Sequence, residues 1–264
     1  MQHALHFMPS GELADPRAVA DVAAAAEQGG WDGVFLWDHV LRHDHEPNDI
    51  ADPWVAMAAM AMVTDRVRLG PMVTPITRRR PIKLAREAIS VDHLSRGRLT
   101  LGLGLGVDHS RELSGFGEVV DARTRGDRLD EGTELLTRMW SGETLHHRGD
   151  HFVADEVRIL PTPVQQPRIP LWFAARGDAR RPVRRAARYD GLVPVDVDIA
   201  QLATMIDVVR AERGNLDGFD IARMYTDDDD LARAAQLGVT WALHARQPGV
   251  TLDQLLSDAA TGPH

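Results

Sequence analysis

Residues 3–36 have the sequence HALHFMPSGELADPRAVADVAAAAEQGGWDGVFL. In this stretch two β-type runs, His3–Met8 and Asp32–Leu36, flank a helical pattern over Pro16–Gln28. Asp15 precedes the helical pattern and two glycines follow it, as is typical of a helix that a carboxylate caps and that glycine ends. The order predicts a strand–helix–strand unit, which is the building block of a parallel sheet.

The same alternation continues along the chain, so that eight strands are predicted in all. The other six are Val67–Val73, Leu99–Leu103, Pro170–Ala174, Gly191–Val195, Phe219–Met224 and Val239–Leu243. The further helical patterns are Pro53–Thr64, Pro81–Leu94, Thr124–Trp140, Asp178–Arg188, Ile199–Arg213, Asp227–Gln236 and Thr251–Ala259.

Eight strand–helix units in a chain of this length predict an α/β fold of the TIM-barrel type, a (β/α)8 barrel that typically takes about 250 residues. We expect one domain over residues 1–264, since no linker or composition break divides the chain. The stretch Ser141–Arg168 is too long for an ordinary connection. It predicts an insertion between the fourth helix and the fifth strand, with a short hairpin around His151–Ile159.

The composition excludes several classes of protein. With 30 Lys and Arg against 39 Asp and Glu, the net charge is -9, which disfavours binding to nucleic acid or to an anionic membrane surface. The absence of cysteine removes thiolate nucleophiles and cysteine-based metal sites. The apolar runs are too short for a membrane span, and the N-terminus does not resemble a signal peptide. We therefore expect a cytoplasmic protein.

A barrel carries its active site where the strands end at their carboxyl edge. The second predicted strand ends in Trp37-Asp38-His39. Histidine exchanges protons near neutral pH, and a neighbouring carboxylate can orient its ring. Asp38 and His39 are therefore candidate catalytic residues. The alternative is structural, with Asp38 as a cap and His39 packed under the following loop.

Two groups of ionisable residues suggest a metal at first sight. His39, His43 and His45 alternate with carboxylates, but their spacing matches no established metal-binding pattern, so we expect no metal. The acidic run Asp227–Asp230 is better explained by the favourable interaction of carboxylates with a helix N-terminus.

The third and fourth predicted strands contain unusual residues. The third includes Gly70-Pro71-Met72-Val73-Thr74-Pro75, and glycine and proline inside a strand indicate a bulge or a close approach of backbone or ligand. The fourth strand continues into Gly102-Leu103-Gly104-Leu105-Gly106, whose alternating glycines leave one face bare. That face could accommodate a flat ligand or serve close packing alone. The spacing is not that of a dinucleotide fingerprint.

The fifth predicted strand ends in Ala174-Ala175-Arg176-Gly177 just before a helix. A guanidinium beside a helix start can bind a phosphate group. The arginines at 180, 181, 184, 185 and 188 have helical spacing and are expected on the solvated outer face. Arg78-Arg79-Arg80 is compatible with solvent or with an anionic ligand.

The order and spacing of many short motifs resemble those of the luciferase-like flavin-dependent oxidoreductases. The motifs are Gly30-Trp31-Asp32-Gly33, Asp38-His39, Asp52-Pro53-Trp54, Thr64 to Gly70, Arg79-Arg80-Pro81, Asp92 to Leu99, Gly102-x-Gly-x-Gly106, Phe116-Gly117, Arg128 to Glu131, Trp140-x-Gly142, Pro161 to Pro170, Ala186 to Arg188, Asp190-Gly191 and Gly238 to Trp241.

This resemblance implies a (β/α)8 fold with reduced FMN or coenzyme F420 at the mouth of the barrel. It implies a bulge at Met72-Val73-Thr74 behind the cofactor ring, often with a non-proline cis peptide. The other implied cofactor-binding residues are Gly104, Gly106, Ala174, Ala175, Arg176 and Gly177. It also implies a homodimer, and a separate flavin reductase where FMN is used.

Two departures from the family pattern limit the classes of substrate that we expect. Sugar-phosphate dehydrogenases of the deazaflavin branch carry a glutamate near the end of the fourth strand, where this chain has Val107 followed by Asp108. Many members have glycines where this chain has Ala174-Ala175. We therefore do not expect oxidation of a sugar phosphate.

The sequence as a whole predicts a monooxygenase that uses reduced FMN and oxygen on a small organic substrate. An F420-dependent hydride-transfer enzyme is the alternative, in which His39 handles the coupled proton and Asp38 orients it. A flavin-binding protein without turnover also remains open. An isomerase or aldolase on the same barrel would need a catalytic Lys or Glu at a strand end, and none is present there.

Overall fold

The computed structural model describes residues 1–42, 49–225 and 231–263. The strands in this part of the chain are β1 (Gln2–Phe7), β2 (Gly33–Leu36), β3 (Arg68–Pro71), β4 (Thr74–Pro75), β5 (Leu101–Gly104), β6 (Leu145–Arg148), β7 (Val153–Val157), β8 (Leu171–Arg176), β9 (Gly191–Val195), β10 (Asp220–Tyr225) and β11 (Trp241–Ala245). The helices are α1 (Pro16–Gln28), α2 (Pro53–Val63), α3 (Pro81–Leu94), α4 (Ala122–Trp140), α5 (Arg180–Ala186), α6 (Ile199–Arg213), α7 (Leu231–Leu237) and α8 (Leu252–Thr261).

Nine strands form one parallel sheet in the order β3-β2-β1-β11-β10-β9-β8-β5-β4. The strands β3 and β4 are two halves of one predicted strand that is interrupted at Met72 and Val73. The sheet closes because Leu69 of β3 pairs with Leu99, which precedes β5. The Thr100 N–H donates to the Leu69 carbonyl at 2.9 Å across this seam. The predicted (β/α)8 barrel is confirmed.

The helix starts follow from local chemistry. The Asp15 carboxylate accepts the Arg17 N–H at 2.9 Å at the start of α1. The Asp52 carboxylate accepts the N–H groups of Trp54 and Val55 at 2.8 and 3.1 Å at the start of α2. Each cap of this kind contributes about 1 kcal/mol to stability.

The insertion between α4 and β8 contains an antiparallel hairpin of β6 and β7. The prediction placed this hairpin around His151–Ile159, which covers the second strand, but the first strand already begins at Leu145. His146 and His147 lie in that first strand, where charged and polar side chains hid the β pattern. The acidic run 227–230 lies outside the described residues, and α7 is described from Leu231.

The inside of the barrel is filled by aromatic rings. The centroids of Phe35, Trp172 and Trp241 are 5.7 Å apart in each pair. Gly191 permits this packing, because a Cβ there would lie 2.3 Å from Cδ1 of Trp172. The three rings form a packed floor within the barrel and leave its carboxyl-end mouth for a site. None of the helices in the described residues has the length and apolar character needed to cross a membrane.

Candidate active site

A cavity of about 580 Å³ opens where the strands end at their carboxyl edge. Its wall is formed by residues that follow β2 and β5, by the interruption between β3 and β4, and by the ends of β8 and β9. Cavities of about 300–1,000 Å³ are typical of small-molecule sites. We call this space the mouth cavity.

The peptide bond between Met72 and Val73 is cis, as the resemblance implies at this position. His6 lies beneath it, and its Nε2 is 3.1 Å from the Met72 carbonyl oxygen. Burial lowers the pKa of His6 to about 4, although the bond to this carbonyl acts in the opposite direction. His6 is therefore neutral at physiological pH and donates its Nε2 hydrogen to the bulge.

The glycines of β5 make room for this bulge. A Cβ on Gly102 would lie 2.4 Å from the Pro71 carbonyl oxygen, so the space above Gly102 is already filled. The expectation that the three alternating glycines leave open space is wrong, because a Cβ on Gly104 or Gly106 would likewise lie 2.7 Å from Cγ2 of Val73 or 2.9 Å from Cβ of Pro75. Gly104 and Gly106 do border the mouth cavity.

The residues on this wall fit a planar ring. Val73, Gly104, Ala174 and Ala175 all border the mouth cavity and carry short apolar side chains or none. A Cβ on Gly104 would lie 2.7 Å from Cγ2 of Val73 and 3.6 Å from Cβ of Ala174, so the three residues form a continuous surface. The face of a planar heteroaromatic ring such as that of a flavin or deazaflavin can lie flat against this surface.

His39 borders the mouth cavity with its side chain 17% exposed. Its Nδ1 lies 2.8 Å from Oε2 of Glu112, which follows β5 and is 73 residues away in the sequence. Glu112 was not predicted as a site residue, because it lies in a loop whose sequence pattern gives no sign of this contact. The predicted orientation of His39 by Asp38 is wrong.

Asp38 is instead the centre of a buried ionic cluster. Its carboxylate accepts the Thr74 hydroxyl at 2.7 Å, and Nη2 of Arg78 and of Arg79 at 2.9 Å each. The Asp38 side chain is fully buried and its two oxygens are occupied. Asp38 borders the mouth cavity, but its carboxylate is bound by Thr74, Arg78 and Arg79 and makes no contact with the His39 ring among the hydrogen bonds of the described residues. Arg78 and Arg79 both pair with Asp38, and Arg79 also lies 3.6 Å from Glu87.

Thr74 is part of the same buried cluster as Asp38. It is fully buried, it donates its hydroxyl to Asp38, and it is not part of the cavity wall. Thr74, predicted as a cofactor-binding residue, thus contacts Asp38 and is not among the residues that border the mouth cavity. Of the three bulge residues, Met72 and Val73 border the cavity.

The end of β8 brings Arg176 to the cavity wall, where its side chain is 61% exposed. Nη2 of Arg176 is 2.7 Å from Oδ2 of Asp196, which follows the neighbouring strand β9. Gly177 has a φ of +57° and lies just beyond the cavity wall. At the predicted phosphate-binding position, the guanidinium of Arg176 is therefore already paired with the carboxylate of Asp196.

The model of the luciferase-like monooxygenase family matches residues 2–246 of the chain. The chain belongs to the luciferase-like monooxygenase family. A curated relative, an F420-dependent glucose-6-phosphate dehydrogenase of Nakamurella multipartita, is 30% identical over 92% of this chain and 73% of that protein. An F420-dependent hydroxymycolic acid dehydrogenase of Mycobacterium tuberculosis is 34% identical over 67% of this chain and 48% of that protein. The luciferase-like chain thus spans about half to three quarters of these relatives.

Solved structures share the fold of this luciferase-like chain. The F420-dependent tetrahydromethanopterin reductase from Methanopyrus kandleri gives a TM-score of 0.77 at 14% identity, over 97% of this chain and 96% of that one. The monooxygenase RslO1 from Streptomyces bottropensis gives a TM-score of 0.71 at 25% identity, over 89% of this chain and 75% of that one.

One arginine of the luciferase-like barrel lies elsewhere than predicted. Arg185 was expected on the solvated face of its helix, but its side chain is 4% exposed and it borders the mouth cavity. Its Nε donates to Oδ1 of Asp130 on α4 at 2.5 Å. The short helix α5 turns this side chain inward, so helical spacing alone did not identify the outer face.

The prediction that there is no metal concerned the loop that carries His39, His43 and His45. His43 and His45 lie outside the described residues. Within the ranges that the structure describes, no group of three or more His, Asp or Glu side chains is placed to hold a metal ion.

Proposed function

We propose that this luciferase-like chain is an oxidoreductase that uses coenzyme F420, with the cofactor ring in the mouth cavity and His39 as the proton-transfer residue. The observation that carries the proposal is that His39 and the Met72–Val73 bulge border one cavity. The named relatives at 30 and 34% identity, both F420-dependent enzymes, favour this cofactor. When bound, the cofactor supplies hydride transfer.

The chain's own residues perform the remaining tasks. Val73, Gly104, Ala174 and Ala175 hold the ring, and Arg176 binds an anionic part of the cofactor. The residues after β2 and β5 form the rest of the wall and exclude water from it. His39 accepts the hydroxyl proton of an alcohol as it is oxidised to the carbonyl, or returns that proton in the reverse direction.

The residues that follow the β5 glycines restrict the class of substrate that we propose. Val107 borders the mouth cavity and offers only methyl groups there. The neighbouring Asp108 carboxylate accepts the N–H groups of Leu113 and Ser114 at 2.8 and 2.9 Å. Asp108 is therefore engaged in its own loop and does not replace the glutamate of the sugar-phosphate enzymes. We propose a small organic alcohol or carbonyl compound as substrate and not a sugar phosphate.

A monooxygenase reaction with reduced FMN is the second candidate. The family description and the 25% identity to the monooxygenase RslO1 favour it. This reaction would consume oxygen and would depend on a separate flavin reductase for reduced FMN.

The first prediction tests the cofactor and the turnover together. We expect the absorption spectrum of F420 to change when F420 is titrated with the purified protein. We also expect the protein to bind F420 more tightly than it binds FMN. We also expect steady-state reduction of F420 by an alcohol panel in the absence of oxygen. Tighter binding of FMN with substrate-dependent oxygen uptake would favour the monooxygenase. Binding of either cofactor without turnover across both assays would favour a binding protein.

The second prediction concerns Arg176. We expect Arg176→Ala to weaken cofactor binding about tenfold, the lower end for a charge-assisted contact, because this guanidinium is exposed and shares Asp196. Arg184→Ala is the matched control, since Arg184 is 58% exposed and pairs with Glu212 away from the cavity. Equal losses in both variants, measured by fluorescence titration, would indicate a general charge effect and no phosphate site.

The third prediction concerns assembly. We propose that a second copy of the chain covers the outer face of α2, a helix without a charged residue, where Val55, Met62 and Val63 are 58, 69 and 51% exposed. Exposed apolar patches of this kind mark interaction surfaces. In sedimentation experiments we expect a homodimer that Met62→Glu converts to monomer, whereas Val153→Glu, on the equally exposed hairpin, leaves it intact. A monomeric parent protein would contradict the proposal.

A further inference from the structure

We propose that Glu112 is a positioning residue that fixes the tautomer and the ring orientation of His39. This inference rests on the proposed function, because it explains how His39 is prepared for proton transfer. Neither the family match nor the relatives assign a role to Glu112.

The geometry around Glu112 supports this role. The Glu112 side chain is 3% exposed and its Oε2 lies 2.8 Å from Nδ1 of His39. Its other oxygen, Oε1, accepts the N–H groups of Val40 and Leu41 at 2.7 and 3.1 Å. One carboxylate therefore holds the ring of His39 and the backbone of the two residues that follow it.

These same contacts favour the ionised form of Glu112. Burial alone would raise the pKa of Glu112, but the hydrogen bonds that it accepts from His39 and from the N–H groups of Leu41 and Val40 outweigh burial and lower the pKa. An ionised carboxylate only accepts hydrogen bonds, so the hydrogen of neutral His39 must lie on Nδ1. Nε2 then carries the lone pair and is the nitrogen left to serve the mouth cavity.

The nearest carboxylate in the sequence cannot take this role. The oxygens of Asp38 are already bound to Thr74, Arg78 and Arg79. Glu112 reaches His39 from the segment after β5, so the contact also joins the loops that follow β2 and β5 at the mouth cavity. In alcohol oxidation the hydride of the carbinol carbon would pass to oxidised F420, the cofactor of the proposed function. Nε2 of His39 accepts the hydroxyl proton, and the carboxylate of Glu112 stabilises the resulting imidazolium.

The isosteric variant Glu112→Gln makes a sharp test. The two backbone N–H groups of Val40 and Leu41 require an acceptor, so the glutamine oxygen should stay at the Oε1 position. The glutamine NH2 group then faces Nδ1 of His39, which must accept. We therefore expect the hydrogen of His39 to move from Nδ1 to Nε2, as read by ¹⁵N NMR of the protein without cofactor.

Activity gives an independent readout. We expect kcat for alcohol oxidation to fall roughly 10²-fold in Glu112→Gln, with cofactor affinity within a few-fold of the parent. Glu118→Gln in the same loop is the control and should change neither the tautomer nor kcat. In a His39→Asn background, Glu112→Gln should have little further effect on kcat, because a positioning residue acts through His39.

The possible outcomes separate the two proposals. An unchanged His39 tautomer in a folded Glu112→Gln protein overturns the role of Glu112, as does an equal loss of kcat in the presence and absence of His39. A tautomer that moves as expected while kcat stays at the parent value supports the positioning of His39. That same result would overturn the proposed function of His39 in proton transfer.

Discussion

The variant His39→Asn is expected to turn over about 10²–10⁴-fold more slowly than the parent, the usual contribution of a positioned proton-transfer group. Asparagine keeps a hydrogen-bonding group near Glu112 but cannot carry the proton. Cofactor affinity should stay within a few-fold of the parent, as expected when an interaction serves the transition state. Steady-state kinetics and cofactor titration on the same preparation provide both numbers.

The control for this prediction is another histidine. His146 is 65% exposed on the hairpin β6–β7 and pairs with an exposed carboxylate, Asp155, at 3.4 Å. The variant His146→Asn should retain parent turnover. If His39→Asn also retains it, or loses activity only through weaker cofactor binding, His39 is a packing residue and the chain is better described as a binding protein.

The largest expected effect on stability comes from Asp38→Ala. The side chains of Asp38, Arg78 and Arg79 are 0, 5 and 14% exposed, so removal of the carboxylate leaves two buried guanidinium groups without the anion that they share. Breaking a buried ion pair in this way costs about 3–5 kcal/mol. The midpoint of urea denaturation should fall accordingly, and Tm should fall by roughly 10 °C for a chain of this size.

An exposed ion pair supplies the matched comparison. Asp65 and Arg96 are paired at 3.1 Å but are 83 and 84% exposed. Exposed pairs contribute about 0–1 kcal/mol, so Asp65→Ala should leave the free energy of unfolding nearly unchanged. A similar small effect for Asp38→Ala would show that the cluster is solvated and would restore Asp38 as a candidate for a direct role in the site.

The order of the elements could be predicted because its signals are local. The boundaries of α1 and α3 and of β9 match the predicted ones, since capping residues, glycines and apolar periodicity act over a few neighbouring positions. The first strand of the hairpin could not be predicted, because its His and Arg side chains give no apolar alternation. The site position followed from the barrel itself, which brings the strand ends together whatever the loops contain.

The sequence by itself determined the barrel and placed His39 at its mouth, and its resemblance to the family implied the bulge at Met72 and Val73. Only the tertiary structure decided which carboxylate serves it. Asp38 is adjacent in sequence, yet the arginines after β4 occupy its oxygens, and Glu112 arrives from 73 residues away. The physical reason is that a buried carboxylate pairs with whichever donors the fold places within about 3 Å, and sequence separation does not measure that distance.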